Sequence, residues 1–575
     1  MSIEWFRLFL YNMKQTILYR LIVLIVVNII TLTTWADIEI NQKNFPDANF
    51  RDYLLSQDYG KDGIIDNIEL SRLYSLSLYN KGISDLKGIE LLSELKFIDC
   101  PMNNLTSIDI THNPKLVGIT CNDNKLTELN VSKNPQMQRL LCARNKLTQL
   151  DVSNLKDLSY LSCAGNTLDN LIVNNCTALT ELSCYDSELK QISLTNCTAL
   201  KTLTLYNNKL TEIDISTCSA LEELRLEENS LTKIDVSKNK MLISLDVEEN
   251  QLSELDIKGC ISLESLACGG TNLFTTIDFS GHPSLKNVYC SVSKSLKSMI
   301  AKDCKRLESI NAYYSKIEEI DVTGCTALTF IELDHNSVKT LDASTCTALE
   351  TLHCPYNGLS ELNVTGLKYL KTLVIYWNKL EKLDITTCPE LTELNCYGNR
   401  LKELDVTKNP KLTILDCSSN DFSTLDVTHN PELESLICSG LKLNSLDVSQ
   451  NQRLVSLECH SNQLLGESMD KIIKDLPITT NGIFRAINDY FDYGYKWVHN
   501  VVTTEQVNAA LQKGWTTYHF EGDTWYPYEG SESAGINDVM DDMNYTETIY
   551  TLSGQRLTMP QKGINIINGK KVLVK

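Results

Sequence analysis

The chain has 575 residues, of which 42% are hydrophobic and 22% are charged, a balance that excludes both a disordered chain and a protein with many membrane spans. Lys and Arg total 53 whereas Asp and Glu total 73, so the formal net charge is −20. This acidic balance argues against nucleic acid as a partner, because phosphate binding needs clustered basic residues.

Residues 1–36 are predicted to be a secretory signal peptide. Lys14 and Arg20 precede an apolar run from Leu21 to Leu32, and the segment ends with a small residue at Ala36. The run of about 12 apolar residues is shorter than the roughly 20 that a membrane-spanning helix needs. We therefore expect export, no membrane-spanning segment after cleavage, and a secreted or bacterial cell-surface location.

Residues 37–82 are predicted to form an N-terminal cap with a loop that resembles the calcium loop of an EF-hand. Five of its ligand places are filled by Asp58, Asp62, Ile64, Asp66 and Glu69. The third place is Gly60, which removes one carboxylate ligand. Two interpretations stay open: weak calcium binding by the five residues, or a segment that only caps the first coil. No other cofactor is expected.

A repeating pattern occupies residues 83–463. From Leu105 onwards the sequence aligns on itself as eight units of 21 residues, one stretched unit of 23 from Leu273 to Ser295, and eight more units of 21 that end at Gln463. Each unit holds two half-motifs, as in Leu126-x-x-Leu129-x-Val131-x-x-Asn134 followed by Met137-x-x-Leu140-x-Cys142-x-x-Asn145. This spacing is that of leucine-rich repeats.

The repeat predicts the architecture. One coil cannot bury its own apolar face, so neighbouring coils stack around a continuous core. We predict a β-rich solenoid of 21-residue coils, capped at both ends, with two ladders of short parallel strands and little helix. Each half-motif is expected to supply one ladder.

The 20 cysteines occupy two positions of the repeat. Some, such as Cys142, take the inward slot of the second half-motif, and others, such as Cys176, take the bend slot that is Asn at Asn134. Because parallel side chains of stacked coils point into the core rather than at one another, we predict buried free thiols. A structural zinc site is not expected, since the chain has no Cys-x-x-Cys pair.

Outward positions distinguish the two half-motifs. The first half-motif usually places Asp between its inward residues, with Ser or Thr two positions later, as in Asp405 and Thr407. We predict that these hydroxyl groups bond the carboxylates and form a solvated column.

The second half-motif places aromatic residues outward in several coils: Tyr313, Tyr314, Tyr356, Tyr376, Trp377 and Tyr397. These six are the predicted ligand-binding residues, because exposed aromatic rings suit recognition of proteins or sugars. The alternative is that Tyr is simply a good strand residue.

Three segments follow the repeats. Residues 464–530 are predicted to form a C-terminal cap and a small α+β module, with strands at Gly482–Asn488 and Trp515–Glu521 and a helix that starts from a Thr503…Gln506 capping box. Residues 531–547 are acidic and predicted to be a linker. Residues 548–575 are predicted to form a β-hairpin tail with a turn at Asn568-Gly569.

On these motifs, residues 37–463 resemble secreted bacterial leucine-rich-repeat proteins of the broadly internalin-like kind. The tail "IYTLSGQRL…KGINIINGKKVLVK" is similar to type IX secretion sorting domains, although Asn565 stands where Tyr is usual. The resemblance implies a non-catalytic recognition or adhesion protein that binds a protein or glycan along one face. The histidines and carboxylates show no spacing typical of a catalytic site. The alternative function is a passive surface spacer or stalk without its own ligand.

Overall fold

The computed structural model describes Met13 and residues 37–488, 500–521, 524–531, 549–551, 556–557, 563–567 and 570–574. Apart from Met13, the predicted signal peptide lies outside these residues, as do nearly all of the predicted linker and the Asn568-Gly569 turn. The chain divides into two compact units, Met1–Lys316 and Ile317–Lys575, called here unit 1 and unit 2. No helix in the described ranges has the length and apolarity that crossing a membrane requires.

Unit 1 begins with a small helical cap. Strand β1 (Ile38–Glu39) precedes helix α1 (Ala48–Ser56), and β2 (Ile64–Ile65) pairs with β1 in antiparallel fashion before helix α2 (Asn67–Arg72). Asp47 caps α1 by accepting a hydrogen bond from the backbone N–H of Phe50. Strand β3 (Ser75–Ser77) and a 3₁₀ turn (Ile89–Leu91) lead into the repeats.

The repeats of unit 1 contribute three-residue strands: β4 (Phe97–Asp99), β5 (Gly118–Thr120), β6 (Arg139–Leu141), β7 (Gln149–Asp151), β8 (Tyr160–Ser162), β9 (Asn170–Ile172), β10 (Glu181–Ser183), β11 (Gln191–Ser193), β12 (Thr202–Thr204), β13 (Glu223–Arg225), β14 (Ser244–Asp246), β15 (Ser265–Ala267), β16 (Thr276–Asp278), β17 (Asn287–Tyr289), β18 (Ser298–Ile300) and β19 (Ser309–Asn311). Strands from second half-motifs pair in parallel, each with its equivalent in the next coil, from β3 to β19. We call this the second-half ladder.

Unit 2 contains the remaining repeats and the C-terminal segments. Its strands are β20 (Glu319–Asp321), β21 (Phe330–Glu332), β22 (Thr340–Asp342), β23 (Thr351–His353), β24 (Glu361–Asn363), β25 (Thr372–Val374), β26 (Glu393–Asn395), β27 (Ile414–Asp416), β28 (Ser435–Ile437), β29 (Ser456–Glu458), β30 (Gly482–Asn488), β31 (Trp515–Glu521) and β32 (Thr524–Pro527). Helix α3 (Glu467–Asp475) follows β29, and α4 (Thr504–Gln512) precedes β31. The second-half ladder of unit 2 continues in parallel from β21 through β31, and β32 adds in antiparallel fashion.

The predicted leucine-rich-repeat solenoid is confirmed, but its two ladders are unequal. Within unit 1, first-half strands form short sheets of β7, β9 and β11 and of β16 with β18, and within unit 2 β22 pairs with β24. Between them the hydrogen bonds that join first half-motifs are long, 3.3 Å from Thr127 N to Thr106 O and 3.5 Å from Ser253 N to Thr232 O. A full ladder from the first half-motif was therefore a wrong expectation.

The stretched region of unit 1 differs in detail from the single 23-residue unit that the sequence suggested. Strand β15 pairs with β17, and β17 with β19, at separations of 22 residues each. One extra residue lies in the Gly269-Gly270 loop, so Phe274 is 2% exposed whereas Leu273 is 54% exposed. The other lies between Ser293 and Leu296. The insertion is thus shared by two coils, and Phe274 fills the slot that we had assigned to Leu273.

Cysteine and asparagine side chains complete the core. All 20 cysteines are buried and lie outside disulfide bonds, as predicted. In the bend slot, Asn134 Nδ2 donates to Ile110 O and Asn113 O at 3.0 and 2.9 Å, and Cys197 Sγ, in the same slot, donates to Val173 O at 3.2 Å. Asn and Cys are interchangeable there because both can donate a hydrogen bond to the preceding coil.

The C-terminal strands and helices match the sequence prediction closely. The Thr503…Gln506 capping box forms both of its bonds, and β30 and β31 have the predicted bounds. These strands extend the second-half ladder of unit 2 and do not form a separate sheet. Strands β33 (Ile549–Thr551), β34 (Arg556–Leu557), β35 (Gly563–Ile567) and β36 (Lys570–Val574) form a four-stranded antiparallel sheet in the tail.

Candidate functional site

A left-handed backbone position follows every second-half strand, two residues after the inward slot. In unit 2 it is occupied first by His335, Tyr356 and Trp377, with φ angles of 53°, 49° and 54°. The backbone N–H of this residue donates to a carbonyl of the next coil, as Trp377 N does to Tyr397 O at 2.8 Å. The position is therefore fixed by the stack, whatever side chain it carries.

Large aromatic residues are costly at this position. A side chain with a Cβ loses roughly 1–2 kcal/mol in the left-handed region, and Gly, Asn and Asp tolerate it best. Some coils use Gly398 and Gly440 in unit 2 and Asn207 in unit 1, whereas others bear the cost with residues such as Arg144 and Val292. Tyr356 and Trp377 are 42% and 49% exposed, so burial in the core does not offset this cost.

The rings of neighbouring coils pack against one another. The His335 and Tyr356 ring centroids are 4.3 Å apart, and Tyr356 lies nearly parallel to Trp377 at 6.4 Å with an interplanar angle of 14°. Tyr376 meets Tyr356 edge-on at 5.2 Å, and Tyr397 meets Trp377 edge-on at 5.3 Å. We call these five residues of unit 2 the aromatic strip.

The structure thus brings four of the six predicted binding residues together in unit 2 and adds His335. The sequence signal for His335 is its position, 21 residues before Tyr356 in the same slot of the repeat. The other two predicted residues, Tyr313 and Tyr314, lie in unit 1. Their rings meet edge-on at 6.0 Å, and they are 40% and 56% exposed.

Polar groups lie around the aromatic strip. His335 Nδ1 is 2.7 Å from Asp334 Oδ1, and Asn395 Oδ1 accepts a hydrogen bond from Tyr397 N at 3.2 Å. Asp416 is held by Ser418 N at 3.1 Å, and burial raises the pKa of its carboxyl group above the ordinary value. The strip therefore combines apolar rings with acceptors that are fixed by the backbone.

The aspartate column of the first half-motifs lines a groove in unit 2 with a volume of about 1390 Å³. As predicted, hydroxyl groups bond its carboxylates: Thr386 Oγ1 donates to Asp384 Oδ1 at 2.6 Å, and Thr407 Oγ1 donates to Asp405 Oδ1 at 2.7 Å. These bonds lower the pKa of both carboxyl groups. The groove is acidic. These hydroxyl bonds run within each coil, whereas Asp342 also bonds Asn363 of the next coil and Asp447 pairs with Lys471 of α3 at 2.9 Å.

The five predicted calcium ligands are not arranged as an ion-binding site. Asp66 caps α2 by accepting from Ile68 N and Glu69 N, and Glu69 Oε2 accepts from Asp66 N, so these two carboxylates form a capping box. Asp58 is exposed and pairs with Lys61, and Asp62 accepts from Ile64 N at 3.1 Å. Across the described residues, no group of three or more His, Cys, Asp or Glu is arranged to hold a metal ion. In this arrangement the loop does not fit calcium, and binding stays an untested prediction.

The histidines of the repeats serve local contacts. His112 and His429 contact the hydroxyl groups of Thr111 and Thr428 in exposed bends, and His282 is buried in a bend slot. His460 Nε2 contacts Glu458 Oε1 at 3.2 Å beside the Arg485–Glu458 ion pair. None of these contacts supplies a reason to predict catalysis.

Solved structures of other leucine-rich-repeat proteins are similar to this chain. The functional domain of InlJ from Listeria monocytogenes, which includes a cysteine ladder, is 28% identical, with 74% of this chain and 80% of that chain covered and a TM-score of 0.43. YopM from Yersinia enterocolitica is 22% identical, with 69% and 89% covered and a TM-score of 0.47. The LRR protein LIC12759 from Leptospira interrogans is 23% identical, with 71% and 95% covered and a TM-score of 0.45. No protein-family model and no curated protein matches the sequence. The fold assignment therefore rests on the repeats and strands of this chain.

Proposed function

We propose that the protein is a secreted or cell-surface recognition protein that binds a macromolecular partner, a protein or a glycan, through the aromatic strip. The repeats supply the scaffold, and the strip supplies the contacts. We propose no catalytic activity and no nucleic acid partner. The acidic net charge of −20 supports the last point.

One observation carries this proposal: Tyr356 and Trp377 are half exposed at left-handed positions, which Gly, Asn and Asp tolerate best, and their rings lie nearly parallel in neighbouring coils. Strained residues that do not contribute to the core are typical of binding sites, where the strain is retained for function. Exposed Tyr and Trp are also the residues that most often anchor interfaces, because they offer a large apolar area with a polar edge.

The test is the double variant Tyr376→Ala, Trp377→Ala, used in a binding assay with a partner captured from a panel of purified proteins and glycans. Loss of a central anchor costs about 2 kcal/mol or more, roughly thirtyfold in affinity. We expect at least this loss, with an unchanged melting temperature, because both side chains lie outside the core.

A matched control exists in unit 1. Tyr185 and Tyr206 occupy the same outward position as Tyr376, and their rings stack at 4.6 Å. The variant Tyr185→Ala, Tyr206→Ala should keep full affinity. Equal affinity in both double variants would move the site away from the strip.

The alternative function, a passive spacer, requires outward positions that are much alike from coil to coil. The left-handed position instead changes from His, Tyr and Trp to Gly and Ser within unit 2. A chain that binds no member of the panel would favour the spacer.

A further inference from the structure

Two residues of the next coil lie beside the Trp377 indole: Tyr397 meets the ring edge-on at 5.3 Å, and Gly398 adds no side chain. The equivalent left-handed position there is Gly398, and a Cβ at this glycine would lie 3.3 and 3.4 Å from Trp377 Cδ2 and Cε3. Any residue other than glycine would therefore cover part of the ring. Gly398 places no side chain on that part of the ring, and Trp377 is 49% exposed.

Small residues continue from this point along the same two columns. The left-handed position is Ser419, Gly440 and Ser461 in the following coils, and the preceding position changes from Tyr397 to Ser418 and Ser439, which are buried beneath this surface. The aromatic strip thus ends at Trp377 and Tyr397, and a shelf of small side chains begins. A flat ligand group can lie on the shelf with one face against the indole.

The edge of the shelf provides both hydrogen-bond donors and hydrogen-bond acceptors. Lys379 and Arg400, two residues beyond the left-handed position in their coils, are exposed donors, and the exposed Ser419 hydroxyl both donates and accepts. Asp421 occupies the same position as Lys379 and Arg400 in the next coil. The charges on this edge are mixed, so the shelf does not select strongly for an anion or a cation.

We propose that the partner of the aromatic strip is a neutral carbohydrate, with a sugar ring stacked on the Trp377 indole above Gly398. The C–H groups of a sugar face carry partial positive charge and suit the negative face of an aromatic ring. Its hydroxyl groups donate and accept, and so match Lys379, Arg400 and Ser419. This inference rests on the proposed function, and it replaces "protein or glycan" by one class of ligand.

The probe is a set of soluble polysaccharides in affinity electrophoresis: neutral β-glucan, xylan, mannan and galactan, with a polyuronate and a sulfated polysaccharide as anionic counterparts. We expect retardation by at least one neutral polysaccharide and by neither anionic one. The retardation should be lost in Trp377→Ala.

The decisive variant is Gly398→Asn, which covers the ring face without removing any group of the strip. Asn already occupies this position in the same chain at Asn207, with φ 49°, so the backbone tolerates it. The matched control is Gly165→Asn, at the same left-handed position with φ 67° but in unit 1, outside the strip and the shelf. We expect at least tenfold weaker binding for Gly398→Asn, unchanged binding for Gly165→Asn, and a similar small fall in melting temperature for both, because each variant places a Cβ at a left-handed position.

The other outcomes are distinguishable. Retardation by anionic polysaccharides alone, or neutral binding that survives Gly398→Asn, overturns the inference. Binding of a protein partner that depends on Trp377, with no retardation by any polysaccharide, overturns the inference but leaves the proposed function standing. The absence of both kinds of partner contradicts the two together.

Discussion

At the scale of single residues, the bend slot shows why two unlike side chains alternate in one repeat. Asn430 Nδ2 donates to Val406 O and Asn409 O, both at 2.9 Å, and it is fully buried. Cysteine in this slot makes one such bond, as Cys197 does to Val173 O. The slot therefore requires a small side chain that can donate, and the sequence pattern shows this requirement directly.

We predict that Asn430→Ala destabilises the protein by about 2 kcal/mol, because two buried carbonyl groups lose their donor. Asn430→Cys should cost less, since the thiol keeps one bond. The midpoint of urea unfolding measures both. Equal midpoints for the two variants would show that the donated bonds contribute little here.

A pair of carboxyl groups in unit 1 makes a prediction about pH. Burial raises the pKa of Asp246 to about 6, and burial together with the Asp246 charge raises that of Glu248 to about 7. Arg225, Glu227 and Glu249 are the other charged groups that act on them. Because both pKa values are raised in the folded state, the contribution of these carboxyl groups to stability is complete below about pH 4, near their pKa in the unfolded chain. It is lost as the pH rises towards 7.

Asp246→Asn should therefore raise the free energy of unfolding near pH 8 by about 1 kcal/mol, after allowance for solvent screening, and change little near pH 4. The amide keeps an oxygen to accept the bond that Glu248 N donates at 3.1 Å. Urea unfolding at the two pH values measures the effect. A variant with the same pH dependence as the original chain would contradict the assignment.

At the scale of elements, the sequence predicts strands well where its pattern repeats and less well where the pattern changes. Second-half strands, β30, β31 and helix α4 follow from apolar spacing and a capping box. The breaks in the first-half ladder do not follow from the sequence. Adjacent coils pair there only where the distance between them is short, and the Leu-x-x-Leu spacing is compatible with both short and long distances. Phe274 was missed because Leu273 beside it fits the pattern equally well.

Helix α2 provides the test of the calcium loop. Its capping box uses Asp66 and Glu69, so the two residues predicted as ligands already have backbone partners. We expect the same melting temperature in millimolar calcium and in chelator. Asp66→Ala should lower stability by about 1 kcal/mol, whereas Glu69→Gln should change it little, because Gln also serves in a capping box. A calcium-dependent rise that Glu69→Gln abolishes would instead establish the calcium site predicted from the sequence.

At the scale of the whole molecule, the candidate site exists because residues at the same position of successive repeats lie side by side. The six predicted binding residues were found from sequence because aromatic residues recur at repeat spacing, and four of them meet in unit 2. Their ring orientation and the part of the Trp377 ring that Gly398 leaves without a side chain could not be predicted, since both depend on the left-handed backbone and on which neighbour lacks a side chain. Sequence therefore located the strip, and structure defined the surface that it presents.

The repeat also predicts that whole coils can be removed. Second-half strands of adjacent coils pair in register at equivalent residues, so deletion of residues 422–442, one 21-residue coil, restores the same pairing between the coils that remain. This variant should fold and keep the partner, because it retains the aromatic strip. Deletion of residues 359–379, also one coil, should fold equally well but lose the partner, because it removes Tyr376 and Trp377. Circular dichroism melting and the same binding assay compare the two. If both deletions bind equally, the strip is not the site, and if neither folds, the coils are not the independent units that their sequence indicates.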